Sequence, residues 1–215
     1  MDSLRFALYL LIALVPSLVL HEYGHALAAD RLGDPSPRRW GRLTLDPRPL
    51  IDPFGTIILP ALALILVAAE AGFVIPVFAY AKAMPLDFRH LRNPSRDWLI
   101  VVLAGPGANL VLAAVAGIAL RFGLAGEAAT FAYSWLLVNV YMLVIQLMPV
   151  PGLDGSKLLA RVLSPRVREI YQGLDQYLVL FMLAIFFLLG GPFLSIVNGL
   201  FRAVCTVVAG AENCC

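Results

Sequence analysis

Three side chains that can bind a metal or move a proton lie together in the stretch LHEYGHALAA, residues 20–29. His21 and His25 are four residues apart, and Glu22 directly follows the first histidine. On a helix this spacing places both imidazoles on one face, with their Cβ atoms about 5–6 Å apart. Two nitrogen ligands in that arrangement suit one tetrahedral zinc ion, and the neighbouring carboxylate can hold a water molecule against it.

The surroundings of these three residues favour a functional role. They follow an almost unbroken apolar run from Ala7 to Leu20. Ionisable groups deep in a membrane cost a few kcal/mol or more and usually mark function. Interhelical hydrogen bonds are the structural alternative, but each returns only about 0.6–2 kcal/mol. H-E-x-x-H on a helix is typical of metalloproteases, in which the glutamate is the general base.

A catalytic zinc ion needs a third protein ligand, and the sequence offers two candidates. His90 lies in the charged loop LDFRHLRNPSRDW, where a solvated surface histidine is the natural interpretation. Asp154 lies in LMPVPGLDGSKLL, directly after an apolar span, with Gly152 and Gly155 allowing close backbone approach. An aspartate before glycine is often a turn residue, but a carboxylate at the end of a membrane span needs a partner.

The composition defines the class of protein that must position these residues. Of 215 residues, 60% are hydrophobic and only 14% are charged, against about 25% charged in soluble proteins. This predicts an all-α polytopic membrane protein, with residues 1–215 forming a single integral membrane domain. The net charge of +2 and the absence of a basic surface interleaved with aromatic residues argue against nucleic-acid binding.

The apolar runs predict the membrane spans. We expect a retained first span over about residues 5–29, an apolar stretch long enough to cross at 54–71, and clear spans at 97–122 and 130–148. A last span begins at 176–189, is interrupted by Gly190-Gly191-Pro192, and either continues over 193–209 or gives way there to an interfacial helix. Residues 40–46 alternate as a short strand would, and 72–85 suit an extended or re-entrant return.

H-E-x-x-H in an early span, combined with Leu153-Asp154-Gly155 after a late one, resembles the site-2 proteases, the intramembrane zinc metalloproteases. AGPGAN at 104–109, GRLTLDPRPLIDPFGT and RHLRNPSRDW resemble further segments of the family's minimal bacterial branch, which has no PDZ or CBS domain. The resemblance covers about residues 15–165. It implies a three-helix zinc metalloprotease core within about 5–165, followed by a C-terminal span and interfacial segment at about 170–209.

The resemblance also implies roles for individual residues. One zinc ion per chain would be bound by His21, His25 and Asp154, and Glu22 would activate water. The substrate would be a transmembrane protein, cut within or near the lipid bilayer. Gln146 stands where the family usually has an asparagine that steadies the substrate carbonyl, and Leu50 stands where the minimal branch leads us to expect histidine.

Two kinds of substrate contact are expected. First, the strand-like segment 41–46 or the segment 73–80 could pair with an unwound substrate as an edge strand does. For both segments the alternative is an interfacial loop. Second, Asn109 could contact the substrate directly. For Asn109, and for Gly105 in the same segment, close helix packing is the alternative to a direct role in the site. The predicted substrate-binding residues are therefore Gly41, Arg42, Leu43, Thr44, Leu45 and Asn109.

The positive charges predict the topology. Loops 30–53, 82–97 and 150–172 hold thirteen of the sixteen Lys and Arg residues, so these loops should be cytoplasmic in a bacterial cell membrane. Residues 54–85 must then enter the membrane and return on the same face. A zinc transporter and a catalytically silent relative that acts as a binding protein are the alternative functions. The oligomeric state does not follow from the sequence.

Overall fold

The computed structural model describes residues 3–68, 79–82 and 87–210. These residues form helices and connecting turns, with no β-strand among them, which confirms the predicted all-α class. The helices are α1 (Ser3–Leu32), α2 (Ser36–Arg39), α3 (Leu59–Ala68), α4 (Pro94–Arg121), α5 (Gly126–Gln146), α6 (Asp154–Val162), α7 (Pro165–Gly173) and α8 (Leu178–Ala209). A π-helical turn, Pro53–Ile58, leads into α3, and short 3₁₀ turns lie at Arg48–Leu50, Phe88–His90 and Asp175–Tyr177.

Four of the described helices are long and apolar enough to cross a membrane: Arg5–Leu32, Pro94–Arg121, Gly126–Gln146 and Gly191–Ala209. The protein is therefore a multi-pass membrane protein, and the spans predicted at 5–29, 97–122 and 130–148 are confirmed. The stretch predicted to cross at 54–71 is helical as far as Ala68, and residues 69–71 lie outside the described part of the chain.

The predicted interruption of the last span at residues 190–192 is wrong. Helix α8 is continuous, and Pro192 lies inside it. A proline removes one backbone hydrogen bond, but an apolar stripe with a spacing of four begins at the next residue and packs into the core formed with α4 and α5. Its members are Phe193, Val197, Phe201, Cys205 and Ala209. This packing holds the helix together across the proline.

Helices α1, α4 and α5 form the three-helix core that positions the site. The end of α1 meets the start of α4, where the backbone N–H of Arg92 donates to the Leu32 carbonyl (3.0 Å), so these two helices are antiparallel. Small residues let them approach closely, because a Cβ added to Gly24 would lie 2.7 Å from the Ala104 carbonyl oxygen. Helix α5 runs parallel to α1, because Arg5 pairs with Glu127 (3.3 Å) at their starts and Asn139 donates to the Ser17 hydroxyl (2.9 Å) further along both helices.

The strand predicted at residues 40–46 is wrong. These residues form turns and bends, beginning at Gly41, whose φ of 64° lies in the left-handed region. The Thr44 hydroxyl accepts from the Asp46 N–H (3.0 Å), and the Asp46 carboxylate accepts from the Arg48 N–H (3.0 Å). Such side-chain turns compete with strand pairing. Of the second predicted segment, 73–80, all but Ala79 and Tyr80 lies outside the described residues.

The two ends of the stretch from Pro53 to Lys82 lie next to each other. The Lys82 N–H donates to the Leu50 carbonyl (2.9 Å), and the Thr56 hydroxyl donates to the Tyr80 carbonyl (3.0 Å). An in-and-back path of the intervening residues requires this proximity. The same end of the core carries the other basic loops, because the Arg161 guanidinium lies 5.6 Å from the centre of the Trp98 ring.

Candidate metal centre

Two imidazoles and one carboxylate meet inside the core. Nε2 of His21 lies 3.2 Å from Nε2 of His25, and Asp154 Oδ2 lies 3.1 and 3.0 Å from these two nitrogens. All three residues are buried, with at most 4% of their surface exposed. Tetrahedral bonds of about 2.0–2.1 Å imply ligand separations of about 3.3 Å. The three residues can therefore hold one metal ion.

The local sequence explains how Asp154 reaches the histidines. Helix α5 ends at Gln146, and α6 begins with Asp154 itself. Gly152 turns the chain with a φ of 89°, and its N–H donates to the Asp175 carboxylate (2.7 Å). Gly155 lies so close to the end of α5 that an added Cβ would be 2.2 Å from the Leu147 carbonyl oxygen. Both glycines are thus required for this return towards the core.

Two of the three ligating side chains are held by a second partner. The Nδ1–H of His25 donates to the Val101 carbonyl (2.7 Å), which leaves the Nε2 lone pair for a metal ion. The Lys157 ammonium donates to Asp154 Oδ1 (2.8 Å), which leaves Oδ2 facing the histidines. The Nδ1 atom of His21 is buried and has no hydrogen-bond partner among the described residues.

The aspartate and the lysine hold each other in their charged forms. Burial acts to raise the pKa of Asp154, but His25 and Lys157 outweigh it, so this pKa lies well below its usual value. Burial acts to lower the pKa of Lys157, and the Asp154 carboxylate reverses this, so the pKa is raised. The carboxylate is therefore available as a metal ligand at neutral pH.

Helix α4 leaves room for an ion at Gly105. A Cβ added there would lie 2.2 Å from Nε2 of His25, the atom that faces the other ligands. The space that a methyl group would fill is the space beside the metal-binding nitrogen. The donor set, the ligand separations and this cradle all fit a zinc ion.

Gly105→Ala should therefore reduce the zinc content sharply, because the new methyl group displaces the His25 ring. Gly107→Ala is the matched control, since a Cβ there meets no atom within 4 Å and alanine favours the helix equally at both positions. Elemental analysis of the two purified variants checks this. Equal zinc content in both would contradict the assignment of Gly105 as the cradle.

A pocket of about 410 Å³ opens onto the three ligating residues. The predicted catalytic residues Glu22 and Gln146 line it, although neither belongs to the group that can hold a metal ion; their catalytic roles stay predictions. Tyr80, the last residue of the predicted segment 73–80, also lines the pocket, and so do residues that sequence reasoning missed: Asp52, Ala81, Lys157 and Asp175. Only Lys157 carried a usable signal, because it stands three residues after Asp154 on the same helix.

The other predicted site residues lie elsewhere. His90 is half exposed and pairs with Asp87 (3.2 Å), so it is not the third ligand. None of the residues from Gly41 to Leu45 lines the pocket; Arg42 is buried and donates to the Pro49 carbonyl, and Leu45 is exposed. Asn109 is fully buried and does not line the pocket. Substrate binding by these residues stays a prediction.

The fold and the site define an all-α polytopic membrane protein in which two buried histidines and one aspartate can hold a metal ion. No protein-family model and no solved structure matches the chain. The chain is 32% identical to the "Putative zinc metalloprotease YwhC" of Bacillus subtilis over 188 residues, 83% of this chain and 80% of that protein. It is 34% identical to the "Putative zinc metalloprotease Rip2" of Mycobacterium tuberculosis over 193 residues, 86% of this chain and 70% of that protein. The chain belongs to the site-2 protease family.

Proposed function

We propose that this protein is an intramembrane zinc metalloprotease that hydrolyses a peptide bond within or near the transmembrane helix of a membrane-protein substrate. The observation that carries this proposal is the pocket in which Glu22 lies beside the ligating group without belonging to it. A structural zinc site has no need of an adjacent base or of an open position. One zinc ion per chain, held by His21, His25 and Asp154, is the proposed cofactor.

The residues of the chain then have distinct roles. When bound, zinc supplies Lewis acidity, which acidifies water and polarises the scissile carbonyl. The Glu22 carboxylate takes the proton of the attacking water and later delivers it to the leaving nitrogen. The Gln146 amide, which lines the same pocket, donates a hydrogen bond to the carbonyl oxygen as negative charge develops on it.

A substrate must also present an extended backbone, because a helix keeps its carbonyls in internal hydrogen bonds. The short segment Ala79–Lys82 suits its recognition. The N–H groups of Tyr80 and Lys82 donate to Gly55 (3.3 Å) and Leu50 (2.9 Å), so the intervening residue Ala81 faces the other side. Ala81 lines the pocket, and its N–H and carbonyl have no hydrogen-bond partner among the described residues. These two groups can pair with an unwound substrate.

Ala81→Pro should therefore lower kcat/KM about 3- to 10-fold, the effect of one lost hydrogen bond, because proline has no N–H. Ala81→Ser is the control, since it keeps the N–H at the same position. Steady-state cleavage of a membrane-spanning substrate by both variants checks this. An unchanged kcat/KM in Ala81→Pro would place substrate pairing elsewhere.

We propose that the protein lies in the cell membrane, with loops 30–53, 82–97 and 150–172 facing the cytoplasm. The described parts of these loops meet at the same end of the core, and together the loops hold thirteen of the sixteen Lys and Arg residues. The positive-inside rule places such loops in the cytoplasm. Water then reaches the metal centre from the cytoplasmic side.

The rival function is zinc transport, and one preparation decides between the two. We would reconstitute the zinc-loaded protein in vesicles with a model membrane-spanning substrate, then measure cleavage products and zinc flux together. The protease predicts peptide products that disappear with a chelator, and no zinc flux. Zinc flux without peptide products would refute the proposed function.

A further inference from the structure

Four buried side-chain atoms in the described part of the chain have no hydrogen-bond partner: Nδ1 of His21, both amide atoms of Asn109, and Oδ1 of Asn139. Native proteins rarely leave such atoms unpaired, because each forfeits its hydration. The three residues belong to α1, α4 and α5, one on each helix of the core. All three are almost completely buried, with at most 1% exposed.

The packing of α1 against α4 brings Asn109 to the level of His21. His25 lies against Val101, its hydrogen-bond partner, and against Gly105. Because the helices are antiparallel, one turn back along α1 corresponds to one turn forward along α4. One turn back from His25 is His21, and one turn forward from Gly105 is Asn109.

A hydrogen bond to α1 places Asn139 next to the turn that precedes His21. Its Nδ2 donates to the Ser17 hydroxyl (2.9 Å), and Ser17 precedes His21 by one helical turn. The Ser17 hydroxyl in turn donates to the Ala13 carbonyl (2.7 Å). The free Oδ1 of Asn139 therefore lies within about a turn of the other unpaired atoms.

The four unpaired atoms match as two donors and two acceptors. With Nε2 of His21 directed at a metal ion, Nδ1 must carry the hydrogen and donate it. Asn109 supplies an acceptor in Oδ1 and a donor in Nδ2, and Asn139 Oδ1 is the remaining acceptor. One chain of hydrogen bonds, from His21 through Asn109 and Asn139 to Ser17, would satisfy all four atoms.

We propose that Asn109 is a positioning residue of the metal centre: its Oδ1 accepts the Nδ1–H of His21, directly or across one water molecule. It does for His21 what the Val101 carbonyl does for His25 (2.7 Å), fixing the tautomer and orientation of a ligating ring. The complete burial of Asn109 suits this role better than the substrate contact predicted from the sequence. The inference rests on the proposed function only in requiring a metal ion at His21.

Three variants separate this role from helix packing. Asn109→Leu removes the amide at similar volume, and Asn109→Asp restores an oxygen acceptor. Asn139→Leu removes an equally buried amide one step further from the ligand. If Asn109 only packs, the change to leucine deletes an unpaired polar group and should leave zinc binding unchanged and Tm unchanged or raised.

We would measure zinc affinity by chelator competition, Tm with and without zinc, and the visible spectrum of the cobalt-substituted protein. We expect Asn109→Leu to weaken zinc affinity about 10–100-fold, to shrink the zinc-dependent rise in Tm, and to shift the cobalt bands. Asn109→Asp should recover most of the affinity, and Asn139→Leu should change it less than about threefold.

Wild-type zinc affinity and an unshifted cobalt spectrum in Asn109→Leu would overturn the inference, as would equal losses in Asn139→Leu. If Asn109→Leu does not fold, an Asn109→Asp variant with more than tenfold weaker zinc binding would also overturn it. A wild-type protein that binds no zinc would instead refute the proposed function.

Discussion

Replacing Glu22 by glutamine should reduce peptide cleavage by about 10²–10⁴-fold while zinc stays bound, because a neutral amide cannot accept the proton of the attacking water. Glu22 lines the pocket but is not among the three residues that together can hold a metal ion, which are His21, His25 and Asp154. Glutamine keeps the shape of glutamate, so the geometry of the pocket should survive.

The matched control is Glu169→Gln, which makes the same chemical change on an exposed position of α7 and should leave cleavage unchanged. Cleavage rate and zinc content should be measured on the same preparations. Normal cleavage by Glu22→Gln would remove Glu22 from the mechanism. Loss of zinc together with cleavage would make it a ligand instead of a base.

Asp154→Asn should behave differently, with zinc affinity and cleavage falling together. An uncharged amide is a poor zinc ligand, and the change also leaves the Lys157 ammonium, now 2.8 Å from the carboxylate, without its counter-charge beside the site. We expect a loss of zinc affinity of more than about 100-fold, which exceeds the usual effect of losing an outer partner.

Asp46→Asn provides the comparison for this change, since Asp46 lies in an exposed loop and its replacement should leave zinc affinity intact. Titration with a competing chelator gives the affinity. An Asp154→Asn protein that kept full zinc affinity but lost cleavage would assign Asp154 to catalysis and would leave the third ligand unidentified.

The meeting of the His21 and His25 rings could be predicted from the sequence because their geometry is local. Residues four apart on one helix share a face whatever surrounds them. The position of Asp154 is harder to predict, since it depends on the turn at Gly152 and on the close approach of Gly155 to the end of α5. Residue type alone leaves His90 as a second candidate for the third ligand. The packing of α6 against the core brings Asp154, and not His90, to the two histidines.

The residues that surround the three candidate ligands could not be predicted, because their positions depend on the register between helices. Nothing in the sequence places Gly105 against His25 or directs the Val101 carbonyl at its ring. The weak alternation of residues 40–46 was misleading for a related reason: Thr44 and Asp46 bind neighbouring backbone N–H groups. Pro192 was misleading too, because the packing that maintains α8 is formed with other helices.

The measurement that tests the account most directly is the zinc content and zinc coordination of the purified wild-type protein. We predict one zinc ion per chain, with X-ray absorption showing two imidazole nitrogens and oxygen ligands and no sulfur. A variant carrying both His21→Ala and His25→Ala should lose the ion. Full zinc content in that double variant, or sulfur among the ligands of the wild type, would contradict the metal centre on which the account depends.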